Sequence, residues 1–156
     1  NLLDSHDVSR FLSLCGGDVR PYRLAILLLM SFVGMPTVFY GDELGMQGVT
    51  EEEYRVPMPW QGGDTALRTF FQRAIAMRHE LIPLRRGDFR VLRAEAGSGL
   101  LIFARRIGNQ SVTVALNCSS GKAALPSLAG QVYWAEGLQN RDLEGFSFAI
   151  LVDGRG

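Results

Sequence analysis

The hydrophobic pattern changes its period near residue 88, and this change limits the fold more than any other feature of the sequence. Beyond that point apolar and polar residues alternate, as in segments 112–116 and 146–152. Alternation with a period of two is typical of half-buried β-strands. Glycine-containing turns at 96–99 and 108–109 separate such segments, which predicts hairpins. The sequence therefore predicts an antiparallel all-β unit over residues 87–156, most simply a small β-sandwich.

The first 86 residues follow a different order, in which short apolar segments lead into polar clusters and helices. Residues 1–3 predict the end of one strand, and residues 37–40 predict a second, buried strand that stops at Gly41. Helices are predicted at 18–32, with Asp18 as the N-cap, and at 64–80, ended by Pro83. Residues 41–63 form a long connection, and loops of that length in a compact domain are usually functional.

The helix predicted at 18–32 is apolar on every face, because its centre reads LAILLLM. Such a helix must be covered from more than one side. We therefore expect it either to pack against the 64–80 helix and the β unit or to form a homodimer.

Composition excludes several partners. Sixteen basic and sixteen acidic residues give a formal net charge of zero, so electrostatics favours neither nucleic acid nor an anionic membrane. The longest apolar run, at 24–35, is too short to cross a bilayer. Cys15 and Cys118 are far apart, and His6 and His79 are the only histidines, so no metal-binding spacing is present. We expect reduced thiols, no cofactor and a cytoplasmic location.

Two polar clusters, at 5–7 (Ser-His-Asp) and 41–43 (Gly-Asp-Glu), follow the predicted strands directly. In an α/β barrel the chemistry lies where strands end and the βα loops begin. Spacing alone leaves two interpretations open. The clusters are either two walls of an active site or polar groups that hold a turn and cap a loop.

Three segments carry a resemblance to a known family. NLLDSHDVSRF (1–11) resembles the fourth signature segment of the α-amylase superfamily, glycoside hydrolase family 13. GMPTVFYGDELGM (34–46) and YRVPMPW (54–60) resemble the segment around its eighth barrel strand and the Arg-x-Pro-Met-x-Trp stretch that follows. The neopullulanase, cyclomaltodextrinase and maltogenic amylase group is most similar, with maltodextrin glucosidases nearly as close. The resemblance implies an α+β chain: the last βα units of a TIM (β/α)8 barrel at 1–86, followed by a small antiparallel β-sandwich at 87–156.

The resemblance also implies residue roles. Asp7 matches the carboxylate that binds two sugar hydroxyls and stabilises the transition state, and His6 matches an imidazole that binds the same sugar. Arg55 is expected to contact a sugar further from the scissile bond. Glu43 and Arg10 are further candidates, Glu43 more as a brace of the eighth strand and Arg10 more as a structural anchor.

One departure concerns the residues before that arginine. The similar group usually has Asp-Pro there, whereas residues 50–54 of this chain read Thr-Glu-Glu-Glu-Tyr. This difference leaves open how the sugar on the glycone side of the scissile bond is recognised.

The implied activity is retaining hydrolysis of α-glucosidic bonds in maltodextrins, cyclodextrins or pullulan. Such hydrolysis uses two carboxyl groups about 5 Å apart, and the family's nucleophile and general acid follow barrel strands four and five, outside this sequence. We therefore expect a C-terminal portion of a larger enzyme, inactive alone, with any calcium bound elsewhere in the full protein. The choice between α-1,4 and α-1,6 bonds stays open, and so does the choice between hydrolysis and transglycosylation. The alternatives are a non-catalytic amylase-like protein and a carbohydrate-binding module at 88–156.

Overall fold

A computed structural model describes residues 1–154, and the chain divides into two units. Among these residues, the first unit contains 1–30 and 34–77, and the second contains 31–33 and 78–154. The predicted domain boundary after residue 86 stays a prediction.

The structure confirms the two long helices expected from the sequence. Asp18 Oδ1 accepts a hydrogen bond from Arg20 N at 2.9 Å, and Asp64 Oδ1 accepts one from Leu67 N at 2.9 Å, so an aspartate caps each long helix. None of the helices within residues 1–154 is long and apolar enough to cross a membrane. The helices are α1 (Phe11–Leu14), α2 (Val19–Ser31), a 3-10 helix (Asp42–Leu44), α3 (Glu51–Tyr54), α4 (Thr65–Glu80) and α5 (Ile82–Arg86).

Helix α2 is covered on all sides over residues 21–30, none of which is exposed. The rings of Tyr22 and Phe71 meet edge to face with centroids 6.2 Å apart, and Arg23 lies 4.1 Å above the ring of Phe70. These contacts confirm the expected packing of α2 against α4. A homodimer stays a prediction.

The prediction of a buried strand at residues 37–40 is wrong. This segment is irregular, and Val38 and Tyr40 are exposed. A strand needs a hydrogen-bonded neighbour along its length, and within the described residues this segment has one only at Asn1. Asn1 N donates to Met35 O at 2.8 Å, and Asn1 O accepts from Thr37 N at 2.7 Å. That is the hydrogen-bond pattern of parallel strands, limited to one residue.

The second unit contains the antiparallel sheet that the alternating pattern predicted. The strands are β1 (Asp88–Ala94), β2 (Leu100–Ile107), β3 (Gln110–Asn117), β4 (Ala123–Ala124), β5 (Gln131–Gln139) and β6 (Asp142–Asp153). They lie in the order β1-β2-β3-β6, and β4 and β5 both pair with β6. All six therefore belong to one hydrogen-bonded sheet, and every pairing is antiparallel.

The centre of this sheet is buried on both faces. Ile102 and Phe103, neighbours on β2 that point to opposite faces, have no exposed surface. On one face Phe103 lies 5.1 Å from Phe89, ring centre to ring centre. The opposite face carries an apolar cluster of buried residues. Its members are Leu100, Ile102, Ala115, Leu125, Leu143, Ala149 and Leu151.

Candidate functional site

The triplet at residues 5–7 forms an exposed turn in the first unit. Ser5 and Val8 make an isolated antiparallel bridge, and Asp7 N donates to Ser5 Oγ at 3.1 Å. This turn directs His6 and Asp7 outward, with side chains 66% and 65% exposed. His6 Nε2 lies 3.3 Å from Asp7 Oδ2, so the two side chains already face each other.

Arg55 joins this pair from 48 positions further along the chain. Its Nη2 lies 3.2 Å from Asp7 Oδ1, and its Nε donates to His6 O at 2.8 Å. Its Nη1 lies 2.8 Å from Glu51 Oε1. The structure thus brings together the three residues predicted to contact sugar, and both carboxylate oxygens of Asp7 face a nitrogen.

The departure from the family pattern at residues 50–54 has a local structural reason. Thr50 and Glu53 form a capping box, in which Glu53 Oε2 accepts from Thr50 N at 3.1 Å and from Val49 N at 2.7 Å. Three glutamates in the first turn also suit the positive end of a helix. The sequence Thr-Glu-Glu-Glu therefore starts α3, and α3 places Arg55 at its C-cap.

Among residues 1–154, Glu43 makes no hydrogen bond to the triplet at residues 5–7. Its Oε2 accepts from Gly41 N at 3.0 Å, which closes the start of the 3-10 helix. Gly41 has φ +86°, and a Cβ at this position would lie 2.0 Å from Met46 Sδ. Only glycine suits this turn. Glu43 also lines a cavity of about 380 Å³ with Phe39 and Phe71.

Arg10 is fully buried and joins three segments of the first unit. Its Nη1 donates to Tyr40 O at 2.8 Å and to Asp42 Oδ1 at 3.1 Å, and its Nη2 donates to Tyr54 O at 3.2 Å. The guanidinium also lies 4.1 Å above the ring of Phe39. Arg10 therefore holds the carbonyl group of the residue directly before Arg55.

Two buried aspartates complete this cluster, and sequence reasoning did not select them. Asp4 Oδ1 lies 4.0 Å from Arg10 Nη1, and Asp4 Oδ2 accepts from Phe11 N at 2.7 Å. Burial, together with the negative charge of Asp4, raises the pKa of Asp42 to about 8, although Arg10 acts in the opposite direction. A proton on Asp42 therefore relieves the excess of two buried carboxyls over one guanidinium. The available signals were the charged residues within positions 4–10 for Asp4 and the Gly-Asp-Glu cluster at 41–43 for Asp42.

This raised pKa predicts how stability depends on pH. Between the ordinary value of 3.8 and about 8, the folded chain holds a proton on Asp42 that the unfolded chain lacks. The contribution of this group to stability is therefore complete below the lower value and is lost as pH rises towards 8. We expect Asp42→Asn, which imitates the neutral carboxyl, to remove this part of the pH dependence in urea unfolding series. Asp142→Asn is the control, and an unchanged slope in Asp42→Asn would contradict the assignment.

Comparison with known proteins identifies the family. The profile described as "Alpha amylase, catalytic domain" matches residues 1–81, more than half of the 156 residues. The chain belongs to the α-amylase family. Neopullulanase 2 of Thermoactinomyces vulgaris is 37% identical over an alignment of 171 positions that covers 99% of this chain and 29% of the relative. A cyclomaltodextrinase of Geobacillus thermopakistaniensis is 39% identical over 81% of this chain and 22% of the relative.

Solved structures of α-amylase-family proteins have a similar fold. A debranching enzyme of Nostoc punctiforme, soaked with acarbose, superposes with a TM-score of 0.83 at 29% identity, over 97% of this chain and 33% of that one. The chain thus spans between about a fifth and a third of the length of these relatives. Within residues 1–154 no group of three or more His, Cys, Asp or Glu side chains could hold a metal ion.

Proposed function

We propose that this α-amylase-family chain is the C-terminal portion of a retaining glycoside hydrolase that cleaves α-glucosidic bonds. In this proposal Asp7 stabilises the transition state, and His6 and Arg55 bind the sugar. The observation that carries it is the exposed carboxylate of Asp7, which lies between an imidazole at 3.3 Å and a guanidinium at 3.2 Å.

This geometry suits the chemistry of glycoside cleavage. Positive charge develops on the sugar ring only near the transition state, so a fixed carboxylate stabilises that state more than bound substrate. The two oxygens of Asp7 can accept hydrogen bonds from two sugar hydroxyls, in place of the present contacts with His6 and Arg55. Those two side chains then become donors to the same substrate.

The substrate class is proposed from the relatives, whose names include neopullulanase and cyclomaltodextrinase. Maltodextrins, cyclodextrins and pullulan are the expected α-glucans. Residues 1–86 would complete a barrel, and residues 87–156 would form a sandwich domain. Arg10 would position the two loops of the site, and Glu43 would brace the second of them.

Substitution of Asp7 tests the proposal. In a protein that also contains the preceding barrel segments, we expect Asp7→Asn to reduce turnover on maltodextrin at least about 100-fold, because a preorganised electrostatic contact is lost. Asp18→Asn, a similar change at an exposed helix cap, is the matched control and should retain activity. The chain of 156 residues alone should release no reducing sugar. Turnover of Asp7→Asn within a few-fold of the parent would contradict the role of Asp7.

A further inference from the structure

One face of the sheet in the second unit changes from apolar to polar along its strands. Successive side chains of a strand point to opposite faces, so even-numbered residues of β2 share this face with odd-numbered residues of β3 and β6. Leu100 and Ile102 belong to the apolar cluster at one end of this face. At the other end a polar row crosses four strands, with each member opposite the next: Asp88, Arg106, Ser111 and Asp153.

The polar end of this face contains a cavity of about 240 Å³. Next to the polar row, Ala104 lies opposite both Arg90 and Thr113. Because the side chain of Ala104 is small, it fills little of the space at the base of the cavity. Residues 127–129 line the cavity from outside the sheet, and Leu128 also packs on the apolar cluster. The cavity therefore lies between a strand surface and a loop and is open to solvent on one side.

The charges around the cavity select a neutral ligand. Two arginines, Arg90 and Arg106, balance two aspartates, Asp88 and Asp153, so the walls carry no net charge. Neither guanidinium forms an ion pair or a side-chain hydrogen bond within residues 1–154, so both remain available as donors. One oxygen of each carboxylate already accepts a backbone N–H, Asp88 Oδ1 from Arg106 N at 3.0 Å and Asp153 Oδ1 from Gly154 N at 2.9 Å, and the other oxygens supply acceptors. The hydroxyl groups of Ser111, Thr113 and Ser127 supply both donors and acceptors. A neutral ligand with many hydroxyl groups can pair with both donors and acceptors. An anion would be repelled by the two aspartates, and a cation would be repelled by the two arginines.

The size of the cavity limits the ligand further. Sites for drug-sized molecules usually measure about 300–1,000 Å³, so this cavity suits one ring rather than a chain. Leu92 and Leu128 line the cavity and offer apolar surface for the C–H face of a sugar. An exposed aromatic platform at Tyr133 and Trp134 is not the means of binding, because Trp134 is buried against Phe148.

We propose that this cavity binds a single neutral hexose ring, such as the terminal glucosyl unit of a maltooligosaccharide. The four charged groups hold its hydroxyls, and the two leucines contact its carbon face. The choice of a glucosyl unit rests on the proposed function, whereas the site itself concerns residues other than His6, Asp7 and Arg55.

Titration of the ¹⁵N-labelled chain with maltose, followed by amide chemical shifts, tests this site. We expect saturable shifts at amides within 88–92, 104–106, 111–113 and 127–129, with an affinity in the millimolar range. Arg106→Ala should weaken binding about tenfold, since one charged donor is lost. Ala104→Phe should abolish binding by filling the cavity. Arg86→Ala, an exposed arginine outside the cavity, is the matched control and should bind as the parent does.

Three results would overturn the proposal. The first is the absence of saturable shifts in the second unit. The second is shifts confined to 5–10 and 51–55, which would assign maltose to the site at Asp7 alone. The third is binding of glucose 6-phosphate or sulfate with no binding of maltose, which would show an anion site. The dispersion of the amide spectrum shows whether Ala104→Phe is folded. If Ala104→Phe is unfolded, Arg106→Ala still tests the site, because Arg106 is exposed and its substitution should not disturb folding.

Discussion

We expect Arg105→Met to lower the free energy of unfolding by about 3 kcal/mol or more, because it leaves buried carbonyl groups without donors. Arg105 is almost fully buried and donates to four carbonyls. Its Nη1 reaches Ser31 O at 2.8 Å and Leu84 O at 2.9 Å. Its Nη2 and Nε reach Gly87 O at 2.9 Å and Asp88 O at 2.8 Å. Methionine retains much of the apolar stem but supplies no donor, and urea unfolding measures the difference.

The neighbouring residue provides the control. Arg106 follows Arg105 on β2 but points to the opposite face and is exposed, so Arg106→Met should change stability by roughly 0.5 kcal/mol at most. Arg105→Lys should lie between the two, because an ammonium group cannot reproduce the planar fork of donors. A loss below about 1 kcal/mol in Arg105→Met would show that water replaces the guanidinium at these carbonyls.

The sheet could be predicted because its signals are local. Alternation fixes which residues share a face, and the turn at Gly108 and Asn109 connects β2 to β3 as expected. The helix caps at Asp18 and Asp64 are local signals of the same kind. Alternation does not predict that both faces of a strand are buried, because that depends on what packs above and below the sheet.

The remaining features depend on contacts between distant residues. Residues 37–40 have the composition of a strand, but a strand also requires a neighbouring strand. Within the described part of the chain, the only hydrogen bond of this segment that follows a strand-pairing pattern is the one from Thr37 N to Asn1 O. The burial of Arg10 follows from groups 30 and 44 positions away, Tyr40 O and Tyr54 O. The contact of Arg55 with Asp7 spans 48 positions. Family resemblance selected both arginines, whereas the polar clusters near Asp4 and Asp42 did not show that these two aspartates are buried.

Arg10→Met is expected to have the second large effect, a loss of roughly 3–5 kcal/mol in the free energy of unfolding. The substitution leaves Asp4 and Asp42 buried without a cation, and it leaves the carbonyl groups of Tyr40 and Tyr54 without a donor. Arg20→Met, which removes an exposed ion pair with Asp18 at 2.7 Å, is the control and should leave the free energy of unfolding close to that of the parent, because water screens an exposed pair.

A double-mutant cycle separates the charge of Arg10 from its packing. If the guanidinium mainly compensates the buried carboxyls, Asp42→Asn should cost less in the Arg10→Met background than alone, with a coupling of roughly 1–3 kcal/mol. Additive losses would show that packing against Phe39 and the backbone contacts dominate instead. Because Arg10 binds the carbonyl of Tyr54, its loss should also speed amide hydrogen exchange in α3, the helix that ends just before Arg55. A larger increase of exchange in α3 than in α4 would indicate that the buried cluster holds the backbone directly before Arg55.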